Sequence, residues 1–205
     1  MIPSARPLHA VFYERPTLDV ARQLLGARLV RMLDGNCLTG IITETEAYIG
    51  EDDLACHARA GRTSRTRVMY GPPGRAYVYF TYGMHWMLNA VTAADGFPAA
   101  VLIRAAWVET GRTIVAARRQ GVRPAAWTDG PAKLTRAFGI DGTQNELDLT
   151  DSASGLWIEP GLVISDANVT IGPRVGLYSV PEPSRSLPWR FLVTGSSKLE
   201  EKWAY

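Results

Sequence analysis

Ile41-Ile42-Thr43-Glu44-Thr45-Glu46-Ala47-Tyr48 runs from an apolar pair into two acids and a phenol. In an extended chain side chains alternate with period two, so Ile42, Glu44, Glu46 and Tyr48 share one face, and Ile41, Thr43, Thr45 and Ala47 share the other. Two carboxylates and a phenol therefore look the same way, following Ile42 toward whatever that face covers. Acids placed only for solubility would stand opposite the apolar row, so this stretch marks a candidate site.

Working outward, residues 28–32 and 38–48 read as two strands joined by a turn at Asp34-Gly35-Asn36, a strong hairpin signal. Upstream, Thr17 reads as a helix N-cap with Asp19 in the first turn, and Val20, Ala21, Leu24 and Leu25 recur at helical spacing until Gly26. Downstream, Gly71-Pro72-Pro73-Gly74 is a turn that excludes a helix. Residues 76–80 alternate again, with Tyr77 and Tyr79 on one side and Val78 and Phe80 on the other. Thr81-Tyr82-Gly83-Met84 reads as a turn and residues 86–92 as the returning strand.

Residues 98–105 read as a further strand and 113–120 as a helix ended by Gly121. Asp129-Gly130-Pro131 starts another helix, which runs through Lys133, Leu134, Ala137 and Phe138 to Gly139. Apolar runs at 156–158, 169–171 and 189–193, set between Gly and Pro turns, read as antiparallel strands. No internal repeat and no linker divides the chain, and 205 residues suit one domain with a sizeable core.

A net charge of +2 is too small to imply a nucleic-acid partner, so that argument rests on where the charges lie. Cys37 and Cys56, far apart and without Cys or His at ligand spacing, argue for a reducing compartment and against a structural zinc. The first thirteen residues carry no signal-peptide pattern, and no stretch approaches twenty apolar residues. The expectation is a cytoplasmic protein that neither spans nor anchors to a membrane.

The densest charge is Arg59, Arg62, Arg65, Arg67 and Arg75, five arginines with no acid among them. Arginines interleaved with aromatic residues suit a nucleic-acid groove, in which guanidinium groups neutralise phosphates and rings stack on bases. A solvated basic loop is the plain alternative. Four or five phosphate contacts would give a salt slope of about −4, at roughly −0.9 per contact on duplex DNA. Tyr82 and Met84 on a hairpin tip, where turns usually carry small polar residues, suit a wedge between base steps.

Chemistry on an extruded base becomes conceivable when a wedge lies near carboxylates and aromatic rings. Cleaving a sugar-to-base bond passes through an oxocarbenium-like state, which wants an ionised carboxylate to direct water and balance charge. Glu44 or Glu46 could supply it, and either could equally be a strand carboxylate paired with an arginine such as Arg104. His57 is a ring that stacks or a satisfied core histidine, since Cys56 beside it brings no third and fourth metal ligand. Asn89, an amide in an apolar run, is a structural hydrogen bonder or a reader of a base edge.

Six motifs in order then carry a resemblance. Glu44-Thr45-Glu46-Ala47-Tyr48, the segment 50–57, Tyr77-Val78-Tyr79-Phe80-Thr81-Tyr82-Gly83-Met84 with Asn89 behind it, Val101-Leu102-Ile103-Arg104-Ala105, Gly130-Pro131-Ala132-Lys133-Leu134 and Gly172-Pro173-Arg174-Val175-Gly176 together resemble the alkyladenine (3-methyladenine) DNA glycosylase family. The likeness runs from about Leu8 to about Gly195. It implies one α+β domain, a curved antiparallel sheet with peripheral helices and a protruding β-hairpin that inserts into the DNA minor groove.

The resemblance also implies roles. Glu46 matches the general base that activates water, and Arg104 an active-site arginine near the nucleotide and water. Tyr48, His57 and Tyr79 match the walls that sandwich the extruded base, and Asn89 the side chain that disfavours the 2-amino group of guanine. Tyr82 matches the intercalating residue, with Met84 beside it. Arg59, Arg62, Arg65, Arg67 and Arg75 are candidate backbone contacts, and Glu44 has no catalytic counterpart.

The implied enzyme is a monomer on double-stranded DNA containing damaged purines, of the 3-methyladenine, hypoxanthine and ethenoadenine class. It uses no cofactor or metal. No lysine stands within the family's catalytic motifs, so water attack by a monofunctional glycosylase is the simpler chemistry. A cage of tyrosine and histidine faces attracts a cationic alkylpurine by about 0.5–2 kcal/mol. His85-Trp86 after Gly83-Met84 departs from mammalian members, and the absence of their extended N-terminus resembles a compact bacterial type. Two other classes remain open: a non-catalytic duplex or damage binder, and a hydrolase of free nucleosides.

Overall fold

The computed structural model describes residues 6–194; Gly195, where the resemblance ends, lies outside them, as do residues 1–5. The chain forms an α+β domain around an eight-stranded antiparallel sheet that curves without closing. Short helices α1 (Ala10–Tyr13) and α2 (Thr17–Gln23) lead into strands β1 (Arg28–Leu33) and β2 (Asn36–Ile49). Strands β3 (Ala76–Thr81), β4 (His85–Val91) and β5 (Ala99–Thr110) follow, then helices α3 (Arg112–Arg118) and α4 (Pro131–Phe138). Strands β6 (Leu156–Glu159), β7 (Val169–Gly172) and β8 (Arg190–Val193) complete the sheet. The order is β3-β4-β5-β2-β1-β6, and β8 pairs with β2 and β7.

The sheet forks along β2. Its early residues pair with β1, from Asn36 opposite Leu33 to Ile41 opposite Arg28. Glu44, Thr45 and Glu46 instead pair with Leu192, Phe191 and Arg190 of β8. The other edge of β2 pairs with β5 from Thr39 to Ile49, with three irregularities: Glu109 is extra on β5 near the start, and Thr43 on β2 and Arg104 on β5 form an offsetting pair of bulges.

These bulges correct the simple alternation. Leu38 and Ile42 point into the main core, and beyond Thr43 that face is taken over by Thr45 and Ala47. On β5 the core residues change phase in step, from Val108 and Ala106 to Ile103 and Val101. Ile42 therefore does not share a face with the acids. One inserted residue turns Ile42 into the core while Glu44, Glu46 and Tyr48 look out on the opposite side, because side-chain direction has period two.

On the core face, α2 contributes Val20 and Ala21, and α4 contributes Leu134, Ala137 and Phe138. The opposite face carries a smaller cluster, where Cys56, Ala58, Val68 and Met69 from the irregular segment between β2 and β3 pack on Tyr77, Val91 and Ala100. Helix α4 starts at Pro131 and ends on Gly139 at φ 61°, as its sequence signals predict. The start of α2 differs from expectation. Thr17 is the first helical residue rather than the cap, and its buried hydroxyl accepts a hydrogen bond from Thr92.

Both tight hairpin turns require positive φ. Asp34 and Gly35 supply it at 49° and 76° between β1 and β2. Between β3 and β4 the corresponding pair is Tyr82 and Gly83, at 52° and 68°, closed by Met84 N–H donating to Thr81 O. A tyrosine in the left-handed region is strained by about 1–2 kcal/mol, and this one is 80 % exposed, so little burial offsets the cost. Tyr82→Gly is expected to stabilise the fold by about 0.5–1 kcal/mol once glycine's own entropy is subtracted, read as a higher urea midpoint. A lower midpoint would show that the ring contributes to stability after all.

Candidate active site

One cross-strand row assembles the site. Tyr77 on β3 lies opposite Asn89 on β4, Asn89 opposite Leu102 on β5, Leu102 opposite Glu46 on β2, and Glu46 opposite Arg190 on β8. Paired residues of an antiparallel sheet project to the same face, so distant parts of the sequence converge there. Over this row lies a cavity of about 320 Å³. Tyr48, His57, Tyr79, Tyr82, Asn89 and Arg104 line it, together with Tyr77, Met69, Leu102, Pro131 and residues 175–177.

The aromatic wall is built from both sides of the Gly-Pro turn. His57 stands edge-on to Tyr79 with ring centroids 4.5 Å apart, and Tyr77 and Tyr79 are 5.2 Å apart. His57 Nδ1 is 3.0 Å from the Tyr77 hydroxyl. Burial, reinforced by Arg65 and Arg59, pushes the His57 imidazole down to about 4. It is therefore neutral at neutral pH. Burial also raises Tyr48, Tyr77 and Tyr79 above the ordinary tyrosine value, so all three phenols keep their protons. Asn89 Nδ2 donates to Tyr77 O at 2.9 Å, which pins the amide in the cavity lining.

Glu46 is fully buried and sits beneath the cavity rather than in its lining. Its Oε1 accepts Val175 N–H at 2.7 Å and lies 3.3 Å from Arg104 Nη1; its Oε2 accepts the Tyr48 hydroxyl at 2.8 Å. A carboxylate offers about four lone-pair sites, so Oε2 retains one for a further donor. Burial holds the Glu46 carboxyl above the ordinary glutamate value, against the opposing pull of Arg104, the Val175 amide and Tyr48.

Glu44 and Glu46 have separate surroundings. Glu44 Oε1 accepts Arg104 Nε at 2.8 Å and Arg190 Nε at 2.6 Å, which makes it a bridge that orients Arg104. The arginine pair weighed from the sequence thus belongs to Glu44, and the same guanidinium reaches Glu46 with its other end. Burial alone would lower Arg104, but the Glu46 and Glu44 carboxylates outweigh it and leave the group above its ordinary value.

Two residues without an assigned role from the sequence hold this arrangement. Arg174 and Asp53 form a bidentate pair, at 2.5 and 2.8 Å, with both side chains fully buried. The Arg174 guanidinium also donates to Ala47 O and Ser184 O and lies between the rings of Tyr48 and Trp189, at 4.7 and 4.9 Å from their centroids. It backs the Tyr48 wall and anchors the loop whose next residue, Val175, holds Glu46. Removing one member of such a buried pair typically costs about 3–5 kcal/mol. The only signals were an arginine between Gly-Pro and Val-Gly and one of three adjacent acids at 51–53.

The arginine-rich stretch divides. Arg67 is paired with Glu146, and Arg75 with Asp148 at 3.4 Å. Arg59 donates to Leu54 O, Arg62 lies over Tyr70, and Arg65 lies over Tyr79 and donates to Phe80 O. Among the described residues these three have no carboxylate partner in an ion pair, and they flank the aromatic wall. Met84 lies outside the cavity lining and is 68 % exposed at the hairpin tip beside Tyr82. No three His, Cys, Asp or Glu side chains come together as a metal ligand set among the described residues.

A second cavity of about 320 Å³ lies by Trp107 and Trp127. Its carboxylates, Glu44 and Asp129, are taken up by Arg104 with Arg190 and by Lys133. The cavity over Glu46 is the candidate site.

The profile of the family described as Methylpurine-DNA glycosylase (MPG) matches residues 11–197. The chain belongs to this family. Among similar proteins, one from Methanocella arvoryzae is 46 % identical over 181 residues, covering 88 % of each chain. Another, from Myxococcus xanthus, is 48 % identical over 166 residues, 81 % of this chain and 79 % of its own. A third, from Bacillus subtilis, is 40 % identical over 191 residues, 93 % and 94 %. All three carry the name "Putative 3-methyladenine DNA glycosylase". The chain is thus a DNA glycosylase with its cavity over a buried carboxylate.

The raised Glu46 carboxyl carries a stability signature. A group whose proton is held more tightly in the folded than in the unfolded state stabilises the fold at low pH, and that contribution is lost as pH rises through the folded value. Glu46→Gln lacks this loss. Its melting temperature relative to the parent is expected to climb as pH rises above the ordinary glutamate value of about 4, as the parent's buried carboxyl ionises. Parallel melting profiles across that range would contradict the buried-charge assignment.

Proposed function

We propose that this glycosylase extrudes an alkylated or deaminated purine from duplex DNA into the aromatic cavity and hydrolyses its N-glycosidic bond with a water activated by Glu46. The observation that carries the reading is the geometry of Glu46. Both oxygens are oriented by donors, and a lone pair is left on Oε2 beside the cavity. That lone pair takes the proton of a water attacking the sugar carbon, while the negative charge balances the oxocarbenium-like transition state. Arg104 and the Val175 amide keep Oε1 in place throughout.

The leaving base sets the rest of the chemistry. A cationic alkylpurine departs as a neutral base and needs no proton, whereas a neutral base such as hypoxanthine leaves more easily once protonated. His57 is neutral near pH 7 and the phenols hold their protons tightly, so the cavity has no strong acid to offer there. Cationic lesions are the favoured substrates. Asn89, pinned to Tyr77, cannot retreat from a 2-amino group and so disfavours guanine. Tyr82 fills the vacated stack, which gives its strained, exposed conformation a use.

Glu46→Gln is expected to bind lesion duplex while losing about 10²–10⁴-fold in single-turnover base release, the usual range for general-base catalysis. Near-parental release would eliminate Glu46 as the base, and binding without release by the parent would favour the non-catalytic damage binder. Duplexes with one 3-methyladenine or one hypoxanthine should differ in pH profile, the hypoxanthine optimum lying lower, toward the His57 value. Superimposable profiles would remove leaving-base protonation from the mechanism.

With Arg67 and Arg75 already neutralised by Glu146 and Asp148, Arg59, Arg62 and Arg65, which have no carboxylate partner among the described residues, flank the aromatic wall. The salt dependence of duplex binding is then expected to have a slope of about −3, shallower than four or five contacts would give. A slope of about −4.5 would mean that those two ion pairs open on DNA.

A further inference from the structure

We propose that the cavity has a second DNA-contacting lip, residues 175–178, and that Tyr178 lies against the lesion strand beside the extruded nucleotide; this rests on the glycosylase reading above. The hairpin of β3 and β4 bounds the cavity at one end of the strand row β3-β4-β5-β2-β8. Residues 175–177 bound it from the other end, in the connection between β7 and β8.

This lip is held at the reacting centre. Arg174 is locked to Asp53, and Val175 N–H is 2.7 Å from Glu46 Oε1. Glu46 must serve the sugar carbon of the extruded nucleotide, so that sugar and its neighbouring phosphates pass alongside residues 175–178. Gly176, at φ 82°, turns the chain outward immediately beyond the carboxylate.

Beyond that turn the side chains face solvent. Tyr178 is 88 % exposed and Val175 43 %, which makes an apolar lip beside the mouth of a polar site. Tyr178 and Tyr82 are the two most exposed large aromatic residues described; Tyr82 lines the cavity, and Tyr178 directly follows Leu177, which lines it too. Residues 173–181 contain no acid, so nothing on the lip repels phosphate. A tyrosine combines a flat apolar ring for a sugar or base with a hydroxyl for a phosphate oxygen, and gains little from water on both faces. The hairpin fills the gap in the stack, and the lip steadies the strand that was bent to open it.

Binding of lesion duplex by Tyr178→Ser and Tyr178→Phe, read by fluorescence anisotropy, tests the contact, with single-turnover base release measured in parallel. Tyr178→Ser should weaken binding about tenfold, at the low end for loss of an aromatic contact, and raise the half-saturating enzyme concentration more than it lowers the saturating rate. Tyr178→Phe, which keeps the ring and loses only the hydroxyl, should weaken binding less than Tyr178→Ser, and Val163→Ser, which alters an exposed apolar side chain away from the cavity, should match the parent. A photo-cross-linking benzophenone side chain at position 178 should label the lesion strand. Parental affinity in Tyr178→Ser, or labelling of the opposite strand alone, would overturn the inference. A parent that binds duplex but releases no base would defeat the glycosylase reading instead, and the anisotropy comparison would still decide the lip.

Discussion

The paired bulges at Thr43 and Arg104 are the constraint on which the site depends. A strand running in perfect alternation would have sent either Ile42 to the cavity or the acids into the core. The extra residue on β2 shifts its phase once, and the extra residue on β5 restores the ladder one step later. Core packing is thereby preserved on both sides of the irregularity. At the same point β2 exchanges β1 for β8 as its partner, so the fork in the sheet and the change of face coincide. Arg104, being the inserted residue, lies between Glu44 and Glu46 and reaches both.

A second device rigidifies the result. A buried ion pair gains little net stability, because desolvation opposes the attraction between its members. Arg174 and Asp53 are nonetheless retained with full burial, and their value is geometric: the guanidinium supports the Tyr48 ring, ties Ala47 O to Ser184 O and fixes the amide that orients Glu46. The planar, forked donor set of arginine suits this use in a way lysine would not. Strain at Tyr82 and a buried charge at Glu46 both lower stability locally, and both sit where the proposed reaction needs them.

Much of the architecture was legible. The Asp34-Gly35 turn, the Pro131 start and Gly139 stop of α4, and the alternation of Tyr77 and Tyr79 against Val78 depend on local backbone preference and period, which neighbouring residues decide. Thr17 was misread as a cap because its hydroxyl meets Thr92, seventy-five positions away. The arginine stretch was legible as charge but not as function, since Glu146 and Asp148, which take up Arg67 and Arg75, come from a distant loop.

The amino-acid sequence by itself determined the family, through ordered motifs spanning the chain, and with it the residue types available to the site: two strand acids, facing aromatics, an amide and an apolar hairpin tip. Only the tertiary structure decided what surrounds each acid. Glu44 and Glu46 are two residues apart and chemically identical, and no local rule separates them. Separation comes from partners brought in by the sheet and loops: Arg190 and Arg104 satisfy Glu44, whereas Val175, Tyr48 and burial shape Glu46. A carboxylate's chemistry is set by its surrounding donors and dielectric, and these are properties of the fold.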